Sequence, residues 1–171
     1  VTTTPANPVH ELQEVTLAHS SLPANAKFAL RIPEIQQFTY ESPSAVTAGD
    51  FKLSLKFYDY NADSDETQTT VCIPHGSSAS FVAEKLNDLA LLTSNGPGVV
   101  VSRSGSGDAG SNFGYTYTVT FAGLAGNVQK LEYDLAAGGC TAMTSDAGTP
   151  TATVTELNEG DAVGTDTQIV K

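Results

Sequence analysis

VCIPHGSSASFVAEKLNDLALL, residues 71–92, and VVVSRSGSGDAGSNFGYTYTVTF, residues 99–121, are the two stretches that decide the fold class. The first changes its periodicity partway. Val82, Leu86 and Leu89 recur at i, i+4 and i+7, the spacing of one helical face. Ser77 or Ser78 stands where an N-cap belongs, so a helix is predicted over about 78–93, stopped by Asn95-Gly96-Pro97. In the second stretch Tyr115, Tyr117, Val119 and Phe121 alternate with Thr116, Thr118 and Thr120, the period of a strand with one apolar face. A helix and a sheet that each carry one apolar face must cover one another, and burying each of the three stripe residues contributes roughly 1.5–3 kcal/mol before entropy is counted.

The same alternation extends on either side. Phe51, Leu53, Leu55 and Phe57 face one way and Lys52, Ser54, Lys56 and Tyr58 the other. Further strands are predicted at Thr67–Ile73, ended by Pro74, and at Gly98–Arg103, Lys130–Leu135 and Thr151–Leu157. With about eight or nine strands and one helix, the chain reads as mainly β of the α+β kind: an antiparallel sheet or β-sandwich with one amphipathic helix packed on it. Residues 67–103 are the one stretch long enough for a right-handed crossover, so any parallel pairing is expected there.

Upstream the sequence repeats itself. ELQEVTLAHSSLPANAKFALRI, residues 11–32, aligns without a gap on EIQQFTYESPSAVTAGDFKLSL, residues 34–55. Glu11 matches Glu34, Leu12 matches Ile35, Gln13 matches Gln36 and Thr16 matches Thr39; Phe28, Leu30 and Ile32 match Phe51, Leu53 and Leu55. Each copy reads as a strand, a turn-rich loop and a second strand, an opening hairpin present twice. The organisation is then an extended linker at 1–10, a duplicated opening at 11–33, a complete unit at 34–160 and a tail or linker at 161–171. Two amphipathic hairpins can match by chance. If the match is a duplication, the first copy either adds strands to its own sheet or pairs by β-augmentation with the edge of a neighbouring molecule. Glu11, Leu12, Val15, Leu17, Phe28, Leu30 and Ile32 would make that contact.

A length of 171 residues suits one domain with a full core plus appendages. Nineteen Asp and Glu against eight Lys and Arg give a net charge of −11, which argues against binding to phosphate backbones or anionic lipid. No apolar run approaches the roughly 20 residues that span a bilayer, so membrane insertion is not expected, and the start VTTTPANP lacks the regions of a secretion signal. Few residues are charged, while Ser and Thr crowd the loops and outward strand positions, a composition common outside the cell. Cys72 and Cys140 are the two cysteines. They read either as a disulfide, which would close a loop of about 68 residues and stabilise the fold by about 4 kcal/mol, or as two buried thiols.

Several motifs occur in a fixed order: Glu34-Ile35-Gln36 opening a strand; Cys72-Ile73-Pro74 before a Ser/Ala-led helix; Val101-Ser102-Arg103-Ser104-Gly105 at a turn; the strand Gly114–Phe121; Gly126-Asn127-Val128 followed by Leu131; and Gly138-Gly139-Cys140. In this order they resemble a module repeated in large secreted proteins of heterokont algae, diatoms and oomycetes, including the glycoproteins of tubular flagellar hairs (mastigonemes). The resemblance implies a non-enzymatic structural subunit or repeat of an extracellular filament or surface appendage, partnered by copies of itself or sister modules. Such proteins usually carry several modules, whereas this chain holds one complete unit and part of another. It would then be a fragment or a processed subunit. The alternative is an extracellular adhesion module that binds carbohydrate or calcium.

Chemistry-bearing residues are sparse. His10, His19 and His75 are scattered, with no nucleophile elbow, zinc pair or phosphate loop near them, and no catalytic set is assigned. No cofactor is expected apart from calcium. Asp59, Asn61, Asp63, Asp65 and Glu66 place oxygens at nearly alternate positions, like the first half of a calcium loop, since that cation takes about six to eight oxygens. Yet Ser64 stands where an EF-hand needs Gly, and Thr70 where it needs the bidentate Glu. A calcium-binding hairpin tip and a solvated acidic turn are the two readings. Ser104–Asn112 lacks a Lys-Ser/Thr ending and contains Asp108, so it reads as a flexible hairpin loop and not a phosphate cradle. Tyr58 and Tyr60 are the candidate sugar platforms, while Tyr115 and Tyr117 fall on a core face. No N-x-Ser/Thr sequon occurs, which leaves Thr2, Thr3 and Thr4 beside Pro5 as the accessible hydroxyls for O-glycosylation.

Overall fold

The computed structural model of the chain describes residues 33–59, 63–93, 98–124, 126–135 and 138–160. The predicted linker at 1–10, the first opening copy up to Ile32 and the tail at 161–171 lie outside them. Ten strands are present: β1 Ile35–Glu41, β2 Val46–Ala48, β3 Asp50–Asp59, β4 Ser64–Thr69, β5 Ile73–Pro74, β6 Val100–Ser104, β7 Tyr115–Thr120, β8 Glu132–Asp134, β9 Thr144–Ser145 and β10 Thr151–Asn158. Helices α1, Ala79–Asn87, and α2, Ala90–Thr93, lie between β5 and β6.

The strands form two facing sheets. One runs β10–β1–β7–β6. The other is built on β3, where Ser54 pairs with Thr69 of β4 on one side and Glu132 of β8 on the other, and β5 joins at Phe51. Strands β2 and β9 make a small third ladder. Every ladder is antiparallel, so the crossover stretch 67–103 passes from one sheet to the other instead of joining parallel neighbours.

Between the sheets Phe38 and Tyr40 of β1, Phe51, Leu53 and Leu55 of β3, and Tyr117 and Val119 of β7 are fully buried. The Phe38 and Phe51 rings meet across the sandwich at 5.0 Å. Residues 34–55 are therefore not a hairpin. Both edges of β1 are occupied, by β10 and by β7, and β3 lies in the opposite sheet. The opening is a β-arch, two strands that meet face to face through their side chains. Its connection, residues 42–49, is longer than the two to five residues usual in tight hairpins.

The helical segment closes one side of the sandwich. Ser78 caps α1, its Oγ accepting from Phe81 N at 3.2 Å, and Val82, Leu86, Leu89 and Leu92 join the core. The helix predicted over 78–93 breaks at Asp88–Leu89. Leu89 N turns back to Leu86 O at 3.0 Å, and Asn87 leaves the helix surface to bond Val99 N at 2.8 Å and Val99 O at 3.1 Å. The amide of Leu91 in α2 donates to Gln68 Oε1 of β4 at 3.0 Å, which satisfies an orphan N–H of the new helix start. The segment thus reaches from β6 in one sheet to β4 in the other. The predicted strand Thr67–Ile73 is likewise interrupted. At Thr70 the side-chain oxygen accepts from Leu53 N at 3.1 Å while its own N–H donates to Leu53 O. A side chain there replaces the next rung of the ladder.

Candidate functional site

Two polar clusters, one buried and one at the surface, hold the sandwich together. At the start of β1 the fully buried Glu34 accepts from Gln36 Nε2 at 2.5 Å, Val128 N at 2.6 Å and Gly160 N at 3.4 Å. Gln36, also fully buried, donates to Val128 O at 3.1 Å and accepts from Leu131 N at 2.8 Å. The Glu-x-Gln and Gly-Asn-Val-x-x-Leu motifs are thus one device. An irregular, buried backbone stretch has its amide and carbonyl groups satisfied by two side chains of the opening strand. Glu156 of β10, exposed, borders the cluster, and a hydrogen bond to Glu34, with the nearby charge of Glu159, raises its carboxyl above the ordinary range.

The second cluster fixes the turn before α1. Arg103 Nη1 donates to Gly76 O at 2.6 Å and Ser77 O at 2.9 Å, Tyr117 Oη donates to Ser77 O at 2.8 Å, and Tyr40 Oη accepts from Gly76 N at 2.9 Å. The Arg103 guanidinium lies over the Tyr115 ring, 4.6 Å from its centre. Burial pushes the Tyr117 phenol up to about 12 and the Tyr40 phenol higher still. These two clusters absorb most of the ordered motifs of the sequence, and their chemistry is that of staples.

Opposite the helix the sandwich is open. Strand β10 is the last of its sheet and β8 the last of the other, and among the described residues each pairs on one side only. Between them runs a groove of about 550 Å³ walled by Leu131, Tyr133, Ala152 and Val154. The Tyr133 hydroxyl crosses it to donate to Ala152 O. Tyr133 on β8 is 42% exposed and Leu157, at the bulge of β10, 53% exposed, so each edge strand carries one exposed apolar side chain.

A smaller cavity, about 390 Å³, lies at the end of the sandwich near the arch connection. Glu41, Ser42, Asn112, Phe113, Thr149 and Thr151 surround it. Asn112 and Phe113 both have left-handed backbones, φ 50° and 53°, and Phe rarely adopts that conformation. Asn112 Nδ2 donates to Glu41 Oε1 at 3.1 Å, and the buried Ser42 Oγ has no hydrogen-bond partner among the described residues. A carboxylate, an amide, hydroxyls and one aromatic ring suit a polyol.

The residues singled out in the sequence fare differently. Cys72 and Cys140 form a disulfide, Cα atoms 5.8 Å apart. The acidic tip closes the β3–β4 turn: Asp59 pairs in register with Ser64, Asp63 takes φ 53°, and Asn61 lies outside the described residues. Asp65 and Glu66 are consecutive in β4, so their carboxylates leave opposite faces; Asp65 pairs with Lys56 at 3.0 Å and Glu66 accepts from Gln68 at 3.4 Å. Among the described residues the only close group of three His, Cys, Asp or Glu ligands is Asp50 with the two cystine sulfurs. Glu11, Leu12, Val15, Leu17, Phe28, Leu30, Ile32 and Thr2–Thr4 lie outside the described residues, as does Tyr60. His75 bonds Gly49 O at 3.0 Å through Nδ1, a structural role in the turn. The loop read as flexible is internally bonded. Asp108 accepts from Gly110 N at 3.0 Å, and Tyr115 Oη donates to Ser106 O at 3.1 Å. Hydrogen bonding, from Ser106 above all, pulls the Asp108 carboxyl down.

The sequence matches no protein-family model and no curated protein. Among the described residues no helix is long and apolar enough to cross a membrane.

Proposed function

We propose that the protein is a non-enzymatic structural subunit of an extracellular filament or surface appendage, of the mastigoneme-type class its motifs resemble, and that it assembles through β-strand contacts between copies. One observation carries this reading: a sandwich closed by a helix on one side ends in two adjacent sheet edges on the other, in a chain with two opening sequences. Exposed strand edges are templates for pairing with another chain, and natural proteins that stay monomeric blunt them. The disulfide is compatible with an oxidising, extracellular setting. Both polar clusters serve to hold loops and strands in place. Light scattering and negative-stain microscopy of the intact chain, over a concentration series without added ligand, test the reading. Masses well above the 17.8 kDa monomer and elongated particles are expected; a monomer at every concentration would sink it.

A second reading, an adhesion module for carbohydrate, is favoured by the cavity at Glu41, Asn112 and Phe113. It expects soluble glycans to raise the melting temperature of the chain, with the rise lost in Asn112→Ala. The calcium variant of the same reading expects a rise with calcium alone.

A further inference from the structure

We propose that residues 11–32 of one molecule enter the open side of the next as a second β-arch, Glu11–Leu17 extending the sheet at β10 and Phe28–Ile32 extending the opposite sheet at β8. This rests on the self-assembly reading above and gives it a site. The opening is an arch and not a hairpin. A hairpin would add both of its strands to one sheet. An arch aligned on residues 34–55 sends one strand to each sheet, and the β8/β10 side is the one place among the described residues where both sheets end together without helix cover, over a groove lined by Leu131, Tyr133, Ala152 and Val154 together with Lys130, Glu132 and Thr153.

Direction and side-chain pattern agree. Strand β10 runs antiparallel to β1 and β8 antiparallel to β3. A second arch of the same sense as β1 and β3 therefore pairs antiparallel with both edges at once. In the alignment Val15 and Leu17 take the places of Phe38 and Tyr40, and Phe28, Leu30 and Ile32 those of Phe51, Leu53 and Leu55, all of them fully buried. Apart from Gln13, at the inward place of Gln36, the inward positions of the entering arch are thus apolar, and the groove offers them Leu131, Tyr133, Ala152 and Val154. Leu12, at the outward place of Ile35, comes to the bulged end of β10, where Leu157 is exposed. Charge agrees as well: Lys27 and Arg31 flank the second strand, and Glu132 stands exposed on β8.

The donor is a second copy because the chain cannot reach its own groove in this way. Pro33 O is held by Asn158 Nδ2 at 2.9 Å, which fixes the chain beside β1. A strand beyond β8 lies two strand spacings aside and one sheet away, about 14 Å from β1 with strands ~4.8 Å and sheets ~10 Å apart. Three residues, Ile32 to Ile35, span at most about 11 Å. Donation in trans joins unlike surfaces head to tail, and such a contact propagates as a filament unless it closes into a ring.

Two substitutions in the intact chain separate donor from acceptor. Leu30→Asp spoils the entering arch. Ala152→Arg places an inward-pointing charge on the edge strand, a device that blocks strand addition. Light scattering should find each variant monomeric, with the melting temperature of Leu30→Asp equal to that of dilute wild type. Mixed in equal amounts they should form a 1:1 heterodimer, since each retains what the other lacks. A small fraction of Leu30→Asp added to wild type should lower the polymer mass by capping chain ends, a result that does not depend on Ala152→Arg folding. Wild-type-like assembly of Leu30→Asp would overturn the arch and leave self-assembly standing. A monomeric wild type would overturn both, and if Leu30→Asp also melted earlier than that monomer, the arch would belong to its own chain.

Discussion

Gln36 shows at a single position how this sequence builds a fold. An amide on an alternating strand would ordinarily point outward, yet Gln36 faces the core and is fully buried, because one carboxamide can donate to Glu34 and to Val128 O while accepting from Leu131 N. Gln36→Leu keeps the volume and loses these bonds and the one to Gln129 O, leaving a buried carboxylate and a buried amide short of partners. We expect a loss of about 3 kcal/mol in urea unfolding. Glu156 acts in the opposite direction. A carboxyl raised in the folded state by its bond to Glu34 contributes stability that is complete below the unfolded value of about 4.3 and lost as pH rises through the folded value. Glu156→Gln, neutral at every pH, should raise the melting temperature at pH 7 and flatten its fall as the pH rises above about 4.3. The buried phenols follow the same sign at higher pH. Tyr117, at about 12, keeps its contribution below the unfolded value near 10 and loses it between about pH 10 and 12. Circular dichroism should show alkaline unfolding in that window, shifted upward in Tyr117→Phe.

Elements were legible where one periodicity governs a whole segment. The apolar faces of β3 and β7 and the stripe of α1 follow from alternation and helical spacing, and Ser78 was readable as a cap. Where side chains bond to backbone across the fold, local pattern was silent. Asn87 and Gln68 break the helix in two, and Thr70 ends β4, through partners far away in sequence. The arch was misread because hairpins and arches share the same strand alternation; the only local sign was the length of the connection at 42–49. Gly114 is the element-scale hinge of this arrangement. A Cβ there would lie 1.8 Å from Tyr40 O, where β7 passes β1. Gly114→Ala must push the strands apart, and a loss of about 3 kcal/mol in chemical unfolding is expected.

Across the whole molecule, the asymmetry among the described residues between a helix-closed side and the β8/β10 side is what the proposed assembly rests on. Nothing local in β8 or β10 announces an edge; their places come from a topology in which the last strand returns to pair with the first. The match between residues 11–32 and 34–55 is legible in the sequence alone, whereas the surface proposed to receive the first copy is formed only once the two sheets are assembled. Hydrogen exchange with mass spectrometry on the intact chain, in dilute and concentrated solution, tests the account most directly. Slower exchange at high concentration is expected together in residues 11–32, 132–134 and 151–158, with β6 and β4 unchanged. Concentration-dependent protection confined to β6 or β4, or none anywhere, would contradict it.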